Sequence, residues 1–258
     1  MTASPRDNDV HAERICSYPV TSMNLGQCTD MIMDWIDAGH LRKYVVCANP
    51  HSFVEAEKDP EFKHALFEAD LITPDGIGIV IASKLRGGNI RERITGSDMF
   101  ASVSRRLSER GNGRVFLMGS TESNLEKMKR KMASDFPGIS VVGTYSPPFK
   151  SRFSESDNAA MVNAVNRFEP DVLWVGMTAP KQEKWIHRNR NSLKVAVIGA
   201  IGAVFDFYIG RVKRSHPVFQ HTGLEWLPRL LQQPERLWRR TCISAPRFLF
   251  MVLRTRIH

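Results

Sequence analysis

Apolar positions along the chain alternate between runs with the period of a helix and short unbroken runs of the kind a buried strand makes. Residues 15–20 read as an edge strand. From Cys28, apolar side chains fall at 28, 31, 32, 35 and 36, one face of a helix that Gly39 stops. Residues 43–48 form a buried strand ended by Asn49-Pro50, and Asp59-Pro60 opens a helix with Phe62, Leu66 and Phe67 on one side. Residues 71–73 form a strand that breaks at Thr73-Pro74-Asp75-Gly76, after which helical spacing resumes to about Arg86. The segment 87–98 is too polar and glycine-rich for the interior of an element, and Ser97 or Asp98 is expected to cap the helix that follows to about Arg110.

Beyond Asn112-Gly113 the pattern is regular. Strands are expected at 114–118, 141–142, 171–175 and 194–198, separated by helices at 122–136, 155–168 and 181–190. Strands alternating with helices predict an α/β fold, Rossmann-like, with a mostly parallel sheet covered by helices on both faces. After Asp206 the grammar changes. Pro217, Pro228, Pro234 and Pro246 cut the tail into short pieces, with Leu224, Leu227, Leu231 and Trp238 as apolar edges between arginines. The expected division is an unstructured start over 1–14, an α/β catalytic domain over 15–210 and a basic amphipathic, membrane-facing appendage over 211–258.

Charge sharpens that division. Of a net +9, residues 207–258 carry +8, from ten Lys/Arg against two Glu, which leaves +1 for the rest. A near-neutral body with a strongly basic tail calls for an anionic partner: lipid, phosphate or nucleic acid. Apolar and charged contents of 42% and 24% are those of an ordinary globular protein. Cys16, Cys28, Cys47 and Cys242 show no paired spacing, which implies a reducing compartment and no structural zinc. The polar, partly acidic start is no secretory signal, and no apolar run has the length of a membrane span, so a cytoplasmic location is expected.

Candidate chemistry concentrates where strands end. Asp75, held by Pro74 and flanked by Gly76 and Gly78, belongs at the carboxyl end of a strand, where open α/β sheets bind ligands. Locally it reads either as a helix cap or as a catalytic carboxylate. The turns beginning at Gly119, Gly176 and Gly199 each bring backbone N–H groups to a helix start, a setting that favours phosphate. Together they suggest a nucleotide-sized ligand. Gln182 and Glu183 read either as sugar or ribose contacts or as a solvated first helical turn, and Asp206 as a ligand contact or a buried structural carboxylate. No HExxH, clustered histidine pair or Gly-x-Ser-x-Gly elbow is present, so no metal site is expected and serine hydrolysis is disfavoured.

Six blocks bring these features together: Asn49-Pro50, Pro74 to Gly78, Arg93 to Asp98, Pro180 to Trp185, Gly199 to Asp206, and Gly223 to Trp226 leading into Arg229, Pro234 and Arg236. In that order they resemble the WecG/TagA/CpsF family of bacterial glycosyltransferases, over about residues 15–240. The resemblance implies a membrane-associated enzyme of cell-surface polysaccharide or exopolysaccharide synthesis. Such an enzyme moves a hexose-type sugar from a UDP-sugar to a polyprenyl-pyrophosphate-linked acceptor, with inversion and without metal or cofactor. It implies that Asp75 is the general base, that Arg93 and Gln182 bind substrate, and that Asn49 lines the same pocket. Arg93, Arg214, Arg229 and Arg236 are then candidates to meet charge on the leaving diphosphate. The appendage would complete the site and hold the protein peripherally on the inner face of the membrane, as a monomer or homo-oligomer, with no nucleic-acid partner. Met177-Thr178 departs from the family's small apolar form at that turn, and the donor sugar, which varies between N-acetylmannosamine, its uronic acid and glucose-type sugars, stays open. Two other classes fit parts of the chain: an NAD-type oxidoreductase, from the glycine turns, and a basic nucleic-acid- or lipid-binding module, from the tail.

Overall fold

The computed structural model describes residues 11–211 and 243–254. Its centre is a six-stranded sheet in which every pairing is parallel. The strands are β3 (Lys43–Ala48), β4 (Leu71–Pro74), β5 (Gly113–Gly119), β6 (Ile139–Tyr145), β7 (Val172–Gly176) and β8 (Val197–Ala200), in spatial order β4-β3-β8-β7-β5-β6. Alternation along each strand feeds two cores. Tyr44, Val46, Leu173, Val175 and Ile198 face one side, while Val45, Val172, Trp174 and Val197 face the other.

Ten α-helices are described. One side of the sheet is covered by α1 (Leu25–Asp37), α5 (Gly96–Arg110), α6 (Glu122–Asp135) and α9 (Val204–Tyr208). The other is covered by α2 (Pro50–Ala56), α3 (Pro60–Phe67), α4 (Ile77–Leu85), α7 (Glu155–Asn166), α8 (Lys181–Asn189) and the C-terminal α10 (Ala245–Arg254). The α/β class with helices on both faces is therefore as the sequence reads.

Several local readings are corrected. The expected edge strand at 15–20 is instead an antiparallel hairpin, β1 (Ala12–Ile15) and β2 (Tyr18–Thr21), turned at Cys16 and Ser17 in the left-handed region and separate from the main sheet. Asn49-Pro50 does more than end β3: Asn49 caps α2, a helix too short for periodicity to reveal. The cap of α5 is Thr95, not Ser97 or Asp98, because Asp98 is the third helical residue whose carboxylate reaches back to the Thr95 N–H in a capping box. In the tail, α10 lies against α2 and α4, with Phe248 and Val252 buried and the Phe248 ring stacked 6.1 Å from Phe53. The remainder of 211–258 lies outside the described residues, Arg211, Ile243 and Ser244 apart.

Strand order decides where a ligand fits. The connection from β5 runs outward to β6, and that from β7 runs the opposite way to β8. The crevice between β5 and β7 is thus a topological switch point, open at the carboxyl ends of the strands. Gly119 and Gly176 meet there so closely that a Cβ on Gly119, whose φ is +127°, would lie 2.3 Å from the Gly176 carbonyl oxygen.

Candidate active site

A cleft of about 1130 Å³ opens along the carboxyl ends of the parallel strands. That exceeds a common single-ligand pocket and leaves room for a nucleotide sugar beside a second substrate. Asn49, Asp75, Arg93, Gly176, Gln182, Glu183 and Asp206 all line it, gathered from six separate segments. Arg214, Arg229 and Arg236 lie outside the described residues.

Asp75 sits where β4 gives way to α4. Its N–H donates to the Ala48 carbonyl at 2.8 Å, which ties it to the end of β3 beside Asn49. It is not a helix cap: Gly76 occupies that position, with φ +141°, and no side chain caps α4. Gly78 lets the helix press on α2, since a Cβ there would lie 2.8 Å from the Pro50 ring. The Asn-Pro and Pro-Asp-Gly-Ile-Gly blocks are therefore one packed unit. The Cys47 thiol is pushed well above its ordinary range by desolvation and by the Asp75 charge.

Arg93 reaches the same wall by a backbone splice. Ile94 N–H donates to the Pro74 carbonyl at 3.0 Å, and the Thr73 hydroxyl donates to the Ile94 carbonyl at 3.3 Å. Asn49 uses its Oδ1 to accept from the Ser52 N–H at 3.1 Å, which leaves its NH2 as the end for a ligand.

Gln182 and Glu183 are not a solvated first turn. They are 3% and 4% exposed. Gln182 Oε1 accepts from the Gly202 N–H at 3.0 Å, and Gln182 Nε2 donates to Glu183 Oε1 at 2.8 Å. Burial raises the Glu183 pKa to about 7, partly opposed by the bond from Gln182. Asp206 is a half-exposed residue of the cleft wall and accepts from Arg211 Nη1 at 3.4 Å, so it is no buried structural group.

Gly199 does not line the cleft. It lies within β8, where a Cβ would come 2.2 Å from the Trp174 ring, so its lack of a side chain serves packing. The turn after it also differs from expectation. The N–H groups of Ile201 and Gly202 are taken by the Val175 carbonyl and by Gln182, which leaves little for a phosphate. The helix starts that remain available are different ones. Helices α1, α2, α3, α5, α6 and α7 are each capped by their own side chain, whereas α4, α8 and the five-residue α9, which start in the cleft, have none, and in α8 the Lys181 N–H already donates to the Thr178 carbonyl at 2.9 Å. Uncapped first-turn N–H groups and the positive end of the helix dipole suit an anion.

Sequence reading missed other lining residues: His51, Phe149, Lys150 and Arg211; Ser120 and Thr121 belong to the turn it proposed at Gly119, and Lys181 to the block from Pro180. Phe149 is fully exposed in the Pro147-Pro148 loop, and an aromatic placed beside two prolines was the one available signal. Lys181 Nζ sits 4.0 Å from the Phe153 ring centroid, and desolvation lowers its pKa. Among the described residues no three His, Cys, Asp or Glu side chains cluster as a metal centre requires.

Comparison with known proteins decides what this cleft belongs to. The model of the glycosyl transferase WecG/TagA/CpsF family matches residues 13–258. The chain belongs to that family of glycosyltransferases. An N-acetylglucosaminyldiphosphoundecaprenol N-acetyl-beta-D-mannosaminyltransferase of Bacillus spizizenii is 35% identical over 211 residues, covering 82% of this chain and 79% of the relative. An enzyme of the same name from Bacillus subtilis is 29% identical over 245 residues, 95% of this chain and 92% of its own. One from Staphylococcus aureus strain MW2 is 25% identical over 213 residues, 83% and 80% respectively. Family membership makes the chain an enzyme and sets aside the oxidoreductase and the non-catalytic binding module.

Proposed function

We propose that the chain transfers N-acetylmannosamine from its UDP-sugar to an acceptor sugar carried on polyprenyl pyrophosphate, in cell-envelope polymer synthesis, by single displacement with inversion. The names of the relatives support the sugar and the lipid-linked acceptor. The observation that carries the chemistry is the placement of Asp75 in one cleft with Arg93 and two uncapped helix starts.

In this reading the Asp75 carboxylate takes the proton of the acceptor hydroxyl as its oxygen bonds to the anomeric carbon. The bond from that carbon to the diphosphate breaks on the opposite face, and UDP leaves with the electron pair. Arg93 and the first turns of α4 and α8 meet the charge that grows on the departing diphosphate. Asn49 and Gln182 supply N–H groups that orient the sugars.

The lipid carrier sets the location. The outward face of α4 shows Ile77, Ile81 and Leu85, and that of α10, packed against it, shows Leu249, Phe250 and Leu253. Ile77 and Ala245 also line the cleft, so this apolar face reaches its mouth. Arg247 and Arg254 on α10, with the basic charge that follows Asp206, add attraction to an anionic leaflet. Among the described residues no helix is long and apolar enough to cross a membrane, and we place the protein peripherally on the inner face of the cell membrane.

The test is transfer itself. Purified enzyme is given UDP-N-acetylmannosamine and a polyprenyl-diphospho-N-acetylglucosamine, and the lipid product is read by mass spectrometry. A gain of one N-acetylhexosamine is expected. No product with this donor, but product with UDP-glucose or a UDP-uronic acid, would overturn the assignment of the sugar.

A further inference from the structure

A side-chain amide can present either its oxygen or its NH2 to a ligand, and which one it presents decides what it recognises. At Gln182 the partners leave no choice. The Gly202 N–H can only donate, so the atom 3.0 Å from it is the oxygen. The NH2 then faces Glu183 Oε1 at 2.8 Å. Rotating the amide by half a turn would set NH2 against the Gly202 N–H, losing that bond, and would keep one to Glu183 only where its carboxyl carries a proton to donate. Of the two N–H groups on Nε2, one goes to Glu183, which leaves the other for the cleft that Gln182 lines.

We propose that Glu183 is a positioning residue that locks the Gln182 amide with its oxygen on Gly202, so that Gln182 meets substrate only as a hydrogen-bond donor. Its ligand partner is then an acceptor oxygen on the sugar nucleotide, such as an acetamido carbonyl or a phosphate oxygen. This rests on the UDP-sugar reading for the identity of the ligand, but not for the lock itself.

The surroundings of Glu183 fit this role. Its side chain is 4% exposed, and Oε2 finds no hydrogen-bond partner among the described residues. Across from it on β3, the hydroxyl of Tyr44 is also buried and unpartnered, and the Glu183 charge helps to hold that phenol in its neutral form. Arg190 acts on Tyr44 in the opposite sense. At the start of α3, its cap Asp59 and Glu61 are engaged by Lys184, the next residue of α8. A buried carboxyl group with one oxygen committed to an amide is costly unless that bond is used. The Gly202 turn, in the left-handed region at φ +58°, is held by the same amide, so the lock joins the end of β8 to the start of α8.

The experiment compares Glu183→Gln, which keeps an acceptor oxygen for Gln182, with Glu183→Leu, which fills the space without one. Two readouts are taken: the side-chain amide resonances of Gln182, identified by their loss in Gln182→Met, and KM for the sugar nucleotide set against kcat. Wild type and Glu183→Gln are expected to show Gln182 N–H resonances displaced from those of a solvated glutamine and protected from exchange with water, and similar KM. Glu183→Leu is expected to move them to the shifts of a solvated glutamine, to remove their protection from exchange and to raise KM about tenfold, the loss of roughly one hydrogen bond. UDP, UDP-glucose and the UDP-N-acetylhexosamine are compared: a penalty already present with UDP places the partner oxygen on phosphate, and one seen only with the acetamido sugar places it there. Unchanged resonances and KM in Glu183→Leu would overturn the proposal, as would a Glu183→Gln enzyme as impaired as Glu183→Leu. If Glu183→Leu does not fold, wild-type Gln182 N–H resonances at solvated shifts and without exchange protection overturn it alone. Should the wild type bind no UDP-sugar, the functional reading fails while the resonances still decide the lock.

Discussion

The N–H of Ile94 donates to the carbonyl oxygen of Pro74 at 3.0 Å, and that single backbone bond sets the loop carrying Arg93 beside the strand end carrying Asp75. The two residues stand on either side of α4 in sequence, and neither can shift without disturbing the other's backbone. Asp75→Asn removes the base and keeps the shape. Turnover is expected to fall by a factor of about 10² to 10⁴, the usual weight of a positioned acid or base. UDP affinity by calorimetry and melting temperature should match wild type. Undiminished turnover would remove Asp75 from the chemistry.

Gly199 gives a prediction of the opposite kind. Because a Cβ there would strike the Trp174 ring inside the sheet, Gly199→Ala should destabilise the fold by about 1–3 kcal/mol through overpacking. Sugar-nucleotide KM of the folded fraction should stay near wild type. Chemical denaturation and KM measured on the same preparation separate the two, and a KM effect without a stability effect would return Gly199 to the binding site.

Burial of Glu183 also leaves a mark on stability. Its pKa rises from 4.5 to about 7 on folding. Between those values the unfolded chain has released the proton that the folded chain still holds. Stability therefore falls as pH climbs through that window, by at most about 3 kcal/mol, and the loss is complete above it. Glu183→Gln has no such proton, so the difference in unfolding free energy between variant and wild type should grow in favour of the variant from pH 4.5 to pH 7. A difference that is flat with pH would show that the carboxyl titrates normally.

The apolar face shared by α4 and α10 separates binding from folding. Ile81, Leu85, Phe250 and Leu253 are all exposed, so Leu85→Ser and Phe250→Ser should change stability by about 0.5 kcal/mol or less. Each should weaken sedimentation with anionic vesicles roughly tenfold. Phe248→Ala is the reverse case, since that ring is buried against α2, and should cost about 3 kcal/mol. Equal vesicle binding by the serine variants would exclude this face as the contact.

What the sequence made legible follows from the range over which each signal acts. Strand and helix alternation is local, so the sheet and most helices could be read directly, as could Asp75 at a strand end. Helix α2 could not, because seven residues are too few to show a period and Pro50 looks like a terminator until the Asn49 cap is seen. Gln182 and Glu183 could be read as sugar contacts or as a solvated first turn, and their burial, with Gly202 approaching from the end of β8, was not legible. Gly199 misled for the related reason that a glycine admits close approach by a ring as readily as by a ligand. Thr95 was passed over for Ser97 and Asp98 because a capping box contains several residues able to cap, and the backbone angles choose among them.

The hairpin β1–β2 has a role that its separation from the main sheet conceals. It lies along β4, with Tyr18 sandwiched between the rings of Phe53 and Phe67 at 4.7 and 4.6 Å. Strand β4 is an outermost strand, and an uncovered outermost strand is a template on which other chains assemble. Trimming the N-terminus past Thr21 would therefore bare the flank of the strand that ends in Asp75, and the shortened protein should self-associate before it loses its fold.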